Sequence, residues 1–180
     1  MGTRDVSIRA ATGDDAEAIL EIYAPEVLSS VATFELEPPG VDEMRRRIER
    51  VTERYPWLVF EREGRVGGYA YAAEYHPRPA YDWSCEVSVY VGADARGTGA
   101  GRALLEELLA RLEGAGFVNA MARIALPNDA SVRLFESFGF ERTGTTRGIG
   151  YKLGRWIDVG EWQRELNPRA AAPAPPRPPS

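Results

Sequence analysis

Alternating apolar and polar positions over Val6 to Ala10 predict a short opening strand. Ala16, Ile19, Leu20 and Tyr23 then recur at helical spacing, with Thr12 as an N-cap and Asp14 and Asp15 in the first turn, where negative charge suits the helix dipole. Pro25 is expected to kink or end this helix. A second helix from Val41 turns Val41, Met44, Ile48 and Val51 inward. Two strands, Trp57 to Glu61 and Arg65 to Glu74, meet at a tight turn on Glu63 and Gly64, and a third runs from Ser84 to Val91. Leu104, Leu105, Leu108, Leu109 and Leu112 form the core face of a helix over Gly101 to Glu113, ended by Gly114 and Gly116. A strand from Phe117 to Leu126, a short helix from Ala130 to Phe138 closed by Gly139, and a hairpin of Phe140 to Tyr151 with Trp156 to Leu166 complete the pattern. The order β-α-α-β-β-β-α-β-α-β-β describes one α/β (α+β) domain over residues 1–166. Its mixed central sheet has about six or seven strands, flanked by four helices. From Asn167 the chain is proline-rich and of low complexity, so 167–180 is expected as a solvated, flexible tail.

Composition narrows the chemistry. A length of 180 residues suits a single domain with a real core, and a net charge of -5 gives no electrostatic footprint for nucleic acid. Arg45, Arg46 and Arg47 form the one basic cluster. Glu43, Glu49 and Glu53 share their helix, so a salt-bridged, solvated face is the better reading than an anion site. A lone histidine and a lone cysteine exclude the usual zinc sets within one chain, and no metal is expected. His76 sits among prolines with no G-x-S-x-G partner, which argues against a hydrolase triad. Cys85 is compatible with a reducing cytoplasm, the first residues lack a signal-peptide core, and no apolar run approaches a membrane span.

The candidate chemistry begins at the strand ending in Val91. A turn with Gly97, Gly99 and Gly101 follows it and opens a helix, so the N–H groups between Gly97 and Arg102 can converge on a phosphate at a helix N-terminus. A merely tight connection is the plainer alternative. Rossmann spacing fails because Arg102 or Leu104 stands where the third glycine belongs, and a P-loop fails because the sole lysine is Lys152. What fits is R/Q-x-x-G-x-G/A, over Arg96-Gly-Thr-Gly99-Ala-Gly101. This resembles the pyrophosphate-binding signature of the GNAT acyltransferase superfamily, which binds acetyl-CoA.

Six further segments, in order, sharpen the likeness: Arg54-Tyr-Pro-Trp-Leu-Val, Ala80-Tyr-Asp-Trp, Val89-Tyr-Val, Leu126-Pro-Asn-Asp-Ala-Ser-Val-Arg-Leu, Gly150-Tyr-Lys and Asp158-Val-Gly-Glu-Trp-Gln. Together they resemble the phosphinothricin N-acetyltransferases from about Val6 to Leu166. The resemblance implies a GNAT-type fold and a homodimeric enzyme, expected in the cytoplasm from the cysteine and N-terminal readings above. It also implies transfer of acetyl from acetyl-CoA to the amine of a small amino-acid-like acceptor such as phosphinothricin, methionine sulfoximine or methionine sulfone.

It further implies roles for individual residues. The donor would be held by Arg96, Gly97, Thr98, Gly99, Ala100, Gly101 and Arg102, by the backbone of Val89 and Val91, and by Asn128, which also reads as a helix cap. Glu86 takes the position of the catalytic base. By alternation it shares a face with Ser88 and Tyr90, and a strand carboxylate of this kind is either functional or structurally paired. Phe34, Arg78 and Tyr81 match acceptor-pocket positions, although Arg78 could equally be a surface arginine. The chain departs from the pattern at Phe135, where the family has histidine and the superfamily often tyrosine. Phenylalanine moves no proton. Either the thiolate leaves with help from Tyr90, Tyr151 or water, or acceptor choice has changed, or activity is reduced; core packing also accounts for Phe135. An acyl-CoA-binding sensor and a protein or peptide N-acetyltransferase are the alternatives.

Overall fold

The computed structural model describes residues 6–178, so the N-terminal segment read for a signal peptide and the last two tail residues lie outside the described residues. The elements are β1 (Val6–Ala10), α1 (Ala16–Ser29), α2 (Val41–Thr52), β2 (Trp57–Arg62), β3 (Arg65–Glu74), β4 (Ser84–Val91), α3 (Ala100–Ala115), β5 (Asn119–Ala125), α4 (Asp129–Ser137), β6 (Glu141–Lys152) and β7 (Arg155–Glu165). One seven-stranded sheet runs in the order β1-β2-β3-β4-β5-β7-β6, antiparallel except between β4 and β5. Among the described residues no helix is long and apolar enough to cross a membrane.

Two cores follow from the two faces of the sheet. On one side the five leucines of α3 are buried against Leu58, Phe60, Ala70 and Val87, with Phe135 and Trp162 in the same cluster. Each such leucine contributes about 1.5–3 kcal/mol through area removed from water. On the other side Ile19, Tyr23 and Val27 of α1 join Met44 and Ile48 of α2 over Trp57, Val59 and Tyr69. Trp57 through Phe60 are buried on alternate faces, because β2 lies between both helical layers.

Three local expectations are corrected. Helix α1 does not end at Pro25 but runs through it to Ser29, anchored beyond the proline by fully buried Val27. Val41 is exposed, because the inward face of α2 begins at Met44. Gly114 lies inside α3, and Gly116 alone ends it, with φ 94 in the left-handed region. The arginines of α2 do form a salt-bridged face, but their partners are Asp42, Glu43 and Glu35.

The segment after β7 is exposed over most of its length and is tied to the domain by hydrogen bonds. Trp83 Nε1 donates to Ala174 O at 2.8 Å, and Arg177 donates from its N–H to Ala115 O and from Nη2 to Gly114 O. The proline-rich run therefore lies across the C-terminal end of α3.

Candidate active site

The site forms where β4 and β5 part. These parallel strands pair only over Ser84 with Asn119, Cys85 with Ala120 and Glu86 with Met121, while β4 continues to Val91 and β5 to Ala125. The wedge between them opens into a cleft of about 1400 Å³, lined also by the end of α1, the loop after it, the start of α3 and α4. One drug-sized ligand fills roughly 300–1,000 Å³, so this cleft has room for an extended donor together with an acceptor.

At one end lies the glycine turn. Gly97 and Gly99 adopt φ 73 and 90, a region that other residues enter only at a cost. Gly101 is helical, so its reason differs from the expected one: a Cβ there would stand 3.2 Å from Val91 Cγ2, and glycine is what lets α3 sit against β4. The Ala103 N–H bonds back to Gly99 O at 3.0 Å, which leaves the N–H groups of Ala100, Gly101 and Arg102 without intrahelical acceptors at the helix end. Arg96 braces the turn, donating from Nη2 to Glu26 Oε1 at 2.6 Å and from Nε to Val91 O at 3.2 Å. Arg102 lies over the Phe138 ring at 4.9 Å. Thr98 is absent from the lining, its hydroxyl turned to Ala95 O at 2.7 Å. Val89, Val91 and Asn128 all line the cleft, and Asn128 also caps α4, its Oδ1 accepting from the Ser131 N–H at 3.1 Å.

At the other end Glu86, Ser88 and Tyr90 reach the cleft from one face of β4, as alternation requires. The Tyr90 ring stacks on Tyr69 at 5.1 Å and meets Tyr23 edge-on at 5.4 Å. Burial, reinforced by Tyr71 and Tyr23, pushes its hydroxyl well above the ordinary tyrosine value, so it keeps its proton at neutral pH. Phe34 enters from the loop after α1, where its ring occupies the space that a side chain at Gly150 would need. The buried Lys152 ammonium holds this loop by donating to Thr33 O at 2.7 Å and Glu26 O at 3.4 Å, and burial pulls its pKa down. Phe135 is buried edge-to-face on Phe140 at 5.1 Å, as core packing expects, and it also lines the cleft.

Three expected participants are elsewhere. Arg78 and Tyr81 occupy an exposed loop in which Tyr81 stacks on His76 and Tyr75 meets both rings edge-on, and neither lines the cleft. Tyr151 is exposed against Trp156 on the β6–β7 hairpin and does not line the cleft of its own chain. Conversely, Arg123 and Glu161 line the cleft and were not anticipated. Arg123 donates from Nε and Nη2 to Glu86 Oε2, at 2.8 and 2.5 Å. The available signal was a single charge in an otherwise uncharged β5 strand, on the face it shares with Asn119, Met121 and Ala125.

A parted parallel strand pair, with a phosphate-type turn at one end and a carboxylate at the other, defines a group-transfer site for a long, phosphate-bearing donor. The profile of the acetyltransferase (GNAT) domain matches residues 8–160, and the chain belongs to this family. Its relatives narrow the branch to the phosphinothricin N-acetyltransferases. It is 45% identical over 175 residues to phosphinothricin N-acetyltransferase of Streptomyces viridochromogenes, covering 97% of this chain and 93% of the relative. It is 36% identical to the L-methionine sulfoximine/L-methionine sulfone acetyltransferase of Pseudomonas paraeruginosa, covering 93% and 98%. Among solved structures, a GNAT superfamily phosphinothricin acetyltransferase from Sinorhizobium meliloti in complex with AcCoA superposes with a TM-score of 0.90 at 40% identity, covering 94% and 93%.

Proposed function

We propose that the chain transfers the acetyl group of acetyl-CoA to the amine of a small amino-acid-like acceptor, of the phosphinothricin, methionine sulfoximine or methionine sulfone type, by direct attack in a ternary complex. The observation that carries this reading is Glu86 at the parting of β4 and β5, on the strand that leads to the phosphate turn and at the mouth of the acceptor end. The N–H groups from Gly97 to Arg102 would take the pyrophosphate, Arg96 and Thr98 would hold the shape of the turn, and the open edge of β4 at Val89 and Val91, with Asn128, would take the arm. Glu86 removes the ammonium proton, because only the neutral amine has a lone pair for the carbonyl carbon. A fixed backbone N–H near Val89 stabilises the developing oxyanion. The C–S bond then breaks as the acceptor nitrogen sheds its second proton; the Tyr90 hydroxyl, still protonated, donates a hydrogen bond to the thiolate while that second proton passes to the sulfur. Phe34 and Phe135 supply the apolar walls of the acceptor pocket.

Free-thiol release from acetyl-CoA tests the reading across phosphinothricin, methionine sulfoximine, methionine sulfone, common amines and peptides. Release with the amino-acid-like acceptors and intersecting double-reciprocal lines are expected. Release only with peptides, or parallel lines, would overturn it.

The same reading includes a homodimer in the cytoplasm. Exposed Ile149, Tyr151, Leu153 and Trp156, the last 69% accessible, place large apolar side chains on the β6–β7 hairpin, which supports a covered face. A second copy is also the route by which the exposed loop of Arg78 and Tyr81 would contact an acceptor. Trp156→Glu is expected to convert a dimer into a monomer in sedimentation velocity; the same species for both proteins would count against this face. A buried, unpaired Cys85 suits a reducing compartment.

A further inference from the structure

We infer that Arg123 is the residue that recognises the acid group of the acceptor, exchanging its bond to Glu86 for one to the acceptor's carboxylate or phosphinate. The inference rests on the acetyl-transfer reading above and names what that site selects.

Charges lining the cleft single out this arginine. Of the three arginines there, Arg96 is committed to Glu26 and Val91 O, and Arg102 stands at the phosphate turn over Phe138. Arg123 is the third, and the acceptor end around it is acidic: Glu86 is bonded to it, Glu161 is its cross-strand partner in the β5–β7 register, and Glu35 lines the same cleft. Such a pocket attracts an ammonium. An accompanying anion would be repelled there, and Arg123 is the arginine of this protomer that stands at that end to receive it.

Geometry allows the exchange. Arg123 spends Nε and Nη2 on the single oxygen Oε2, and among the described residues no hydrogen bond engages its Nη1 or the other carboxylate oxygen of Glu86. Its side chain is 54% accessible, against 20% for Glu86, so solvent and ligand reach the guanidinium from the cleft. A zwitterionic amino acid carries the complementary pair of charges. Its ammonium goes to Glu86 and its acid group to the planar guanidinium fork, so one internal ion pair becomes two intermolecular ones and Glu86 is released toward the amine it must deprotonate. An amine lacking the acid group leaves Arg123 clamped on the base.

Calorimetric titration into the enzyme–CoA complex tests this without turnover, using methionine sulfone and its carboxamide as a matched pair. The wild type is expected to bind the acid roughly tenfold to a hundredfold more tightly, the range of one charge-assisted contact. Arg123→Met should abolish that preference, and Arg123→Lys should restore part of it. In steady-state assays the loss should appear in the KM for the acid acceptor, with the KM for acetyl-CoA unchanged. A wild type indifferent to the acid group, or an Arg123→Met protein that retains the preference, overturns the inference while leaving acetyl transfer standing. Absence of thiol release from the wild type with every amine overturns acetyl transfer, and the titration still decides whether Arg123 selects the acid.

Discussion

Glu86→Gln is expected to lower kcat roughly 10²-fold or more, with the KM for acetyl-CoA within about twofold of the wild type. The amide keeps the size and one acceptor oxygen of the carboxylate, so Arg123 retains a partner and the parting of β4 and β5 is undisturbed. What disappears is a group able to take a proton from the acceptor ammonium. The proposed donor contacts lie at the far end of the cleft, around Gly97 to Arg102, and have no bond to Glu86. The loss should therefore fall on turnover and leave donor binding alone. Steady-state kinetics with both substrates varied over roughly pH 6 to 9 would show the split. A variant that turns over as fast as the wild type across that range would remove Glu86 from proton transfer.

Asp15→Ala should cost about 2–3 kcal/mol of stability near neutral pH, because it removes a cap and a charge-assisted pair together. Asp15 is only 7% accessible. Arg9 reaches both its oxygens, at 2.9 and 2.7 Å, and the Thr12 N–H donates to Oδ2 at 2.8 Å, so β1 is tied to the start of α1 through one carboxylate. Burial by itself would raise its pKa, but the bonds from Arg9 and Thr12 outweigh burial and hold it below the ordinary value. A group with a depressed folded pKa stabilises fully above its unfolded value and loses that stabilisation as pH falls through the folded one. The gap between wild type and variant in denaturant midpoints should thus be constant above about pH 5 and close below about pH 4. A gap that persisted in acid would show that Asp15 acts through packing alone.

Asp15 also marks how far the sequence could be read. Its place in the first turn was legible and suggested a dipole role, whereas its partner Arg9 lies on β1, oriented by pairing with β2. The same division runs through the molecule. Every strand and helix could be read from periodicity, because burial on one face leaves a period of two or of about 3.6 in the residues. Ends were less legible where tertiary bonds intervene: β5 starts at Asn119 because Phe117 is core and the Val118 N–H is taken by Trp83 O. The insertion of β7 between β5 and β6 left no local trace.

The donor end of the site was legible for a different reason. Glycines report backbone requirements directly, so Gly97 and Gly99 announced a turn before any contact was known. The acceptor end is assembled across strands distant in sequence. Glu86, Arg123 and Glu161 become neighbours only through the β4–β5 and β5–β7 pairings, so the lone charge of β5 could be noticed but not interpreted. Arg78 shows the converse, since a plausible residue type in an aromatic loop carries no information about which way the loop faces.

The three residue pairs that join β4 to β5 carry a mechanical meaning as well. They divide the sheet into two leaves, β1 to β4 and β5, β7 and β6, whose seam is otherwise bridged by side chains from α3 and α4. A donor lying along the open edge of β4, as proposed above, would act as mortar in that seam, and by mass action its affinity would become resistance to unfolding, about 2.7 kcal/mol at a hundred times its Kd. The stability of the folded chain would thereby be coupled to the supply of the molecule it consumes.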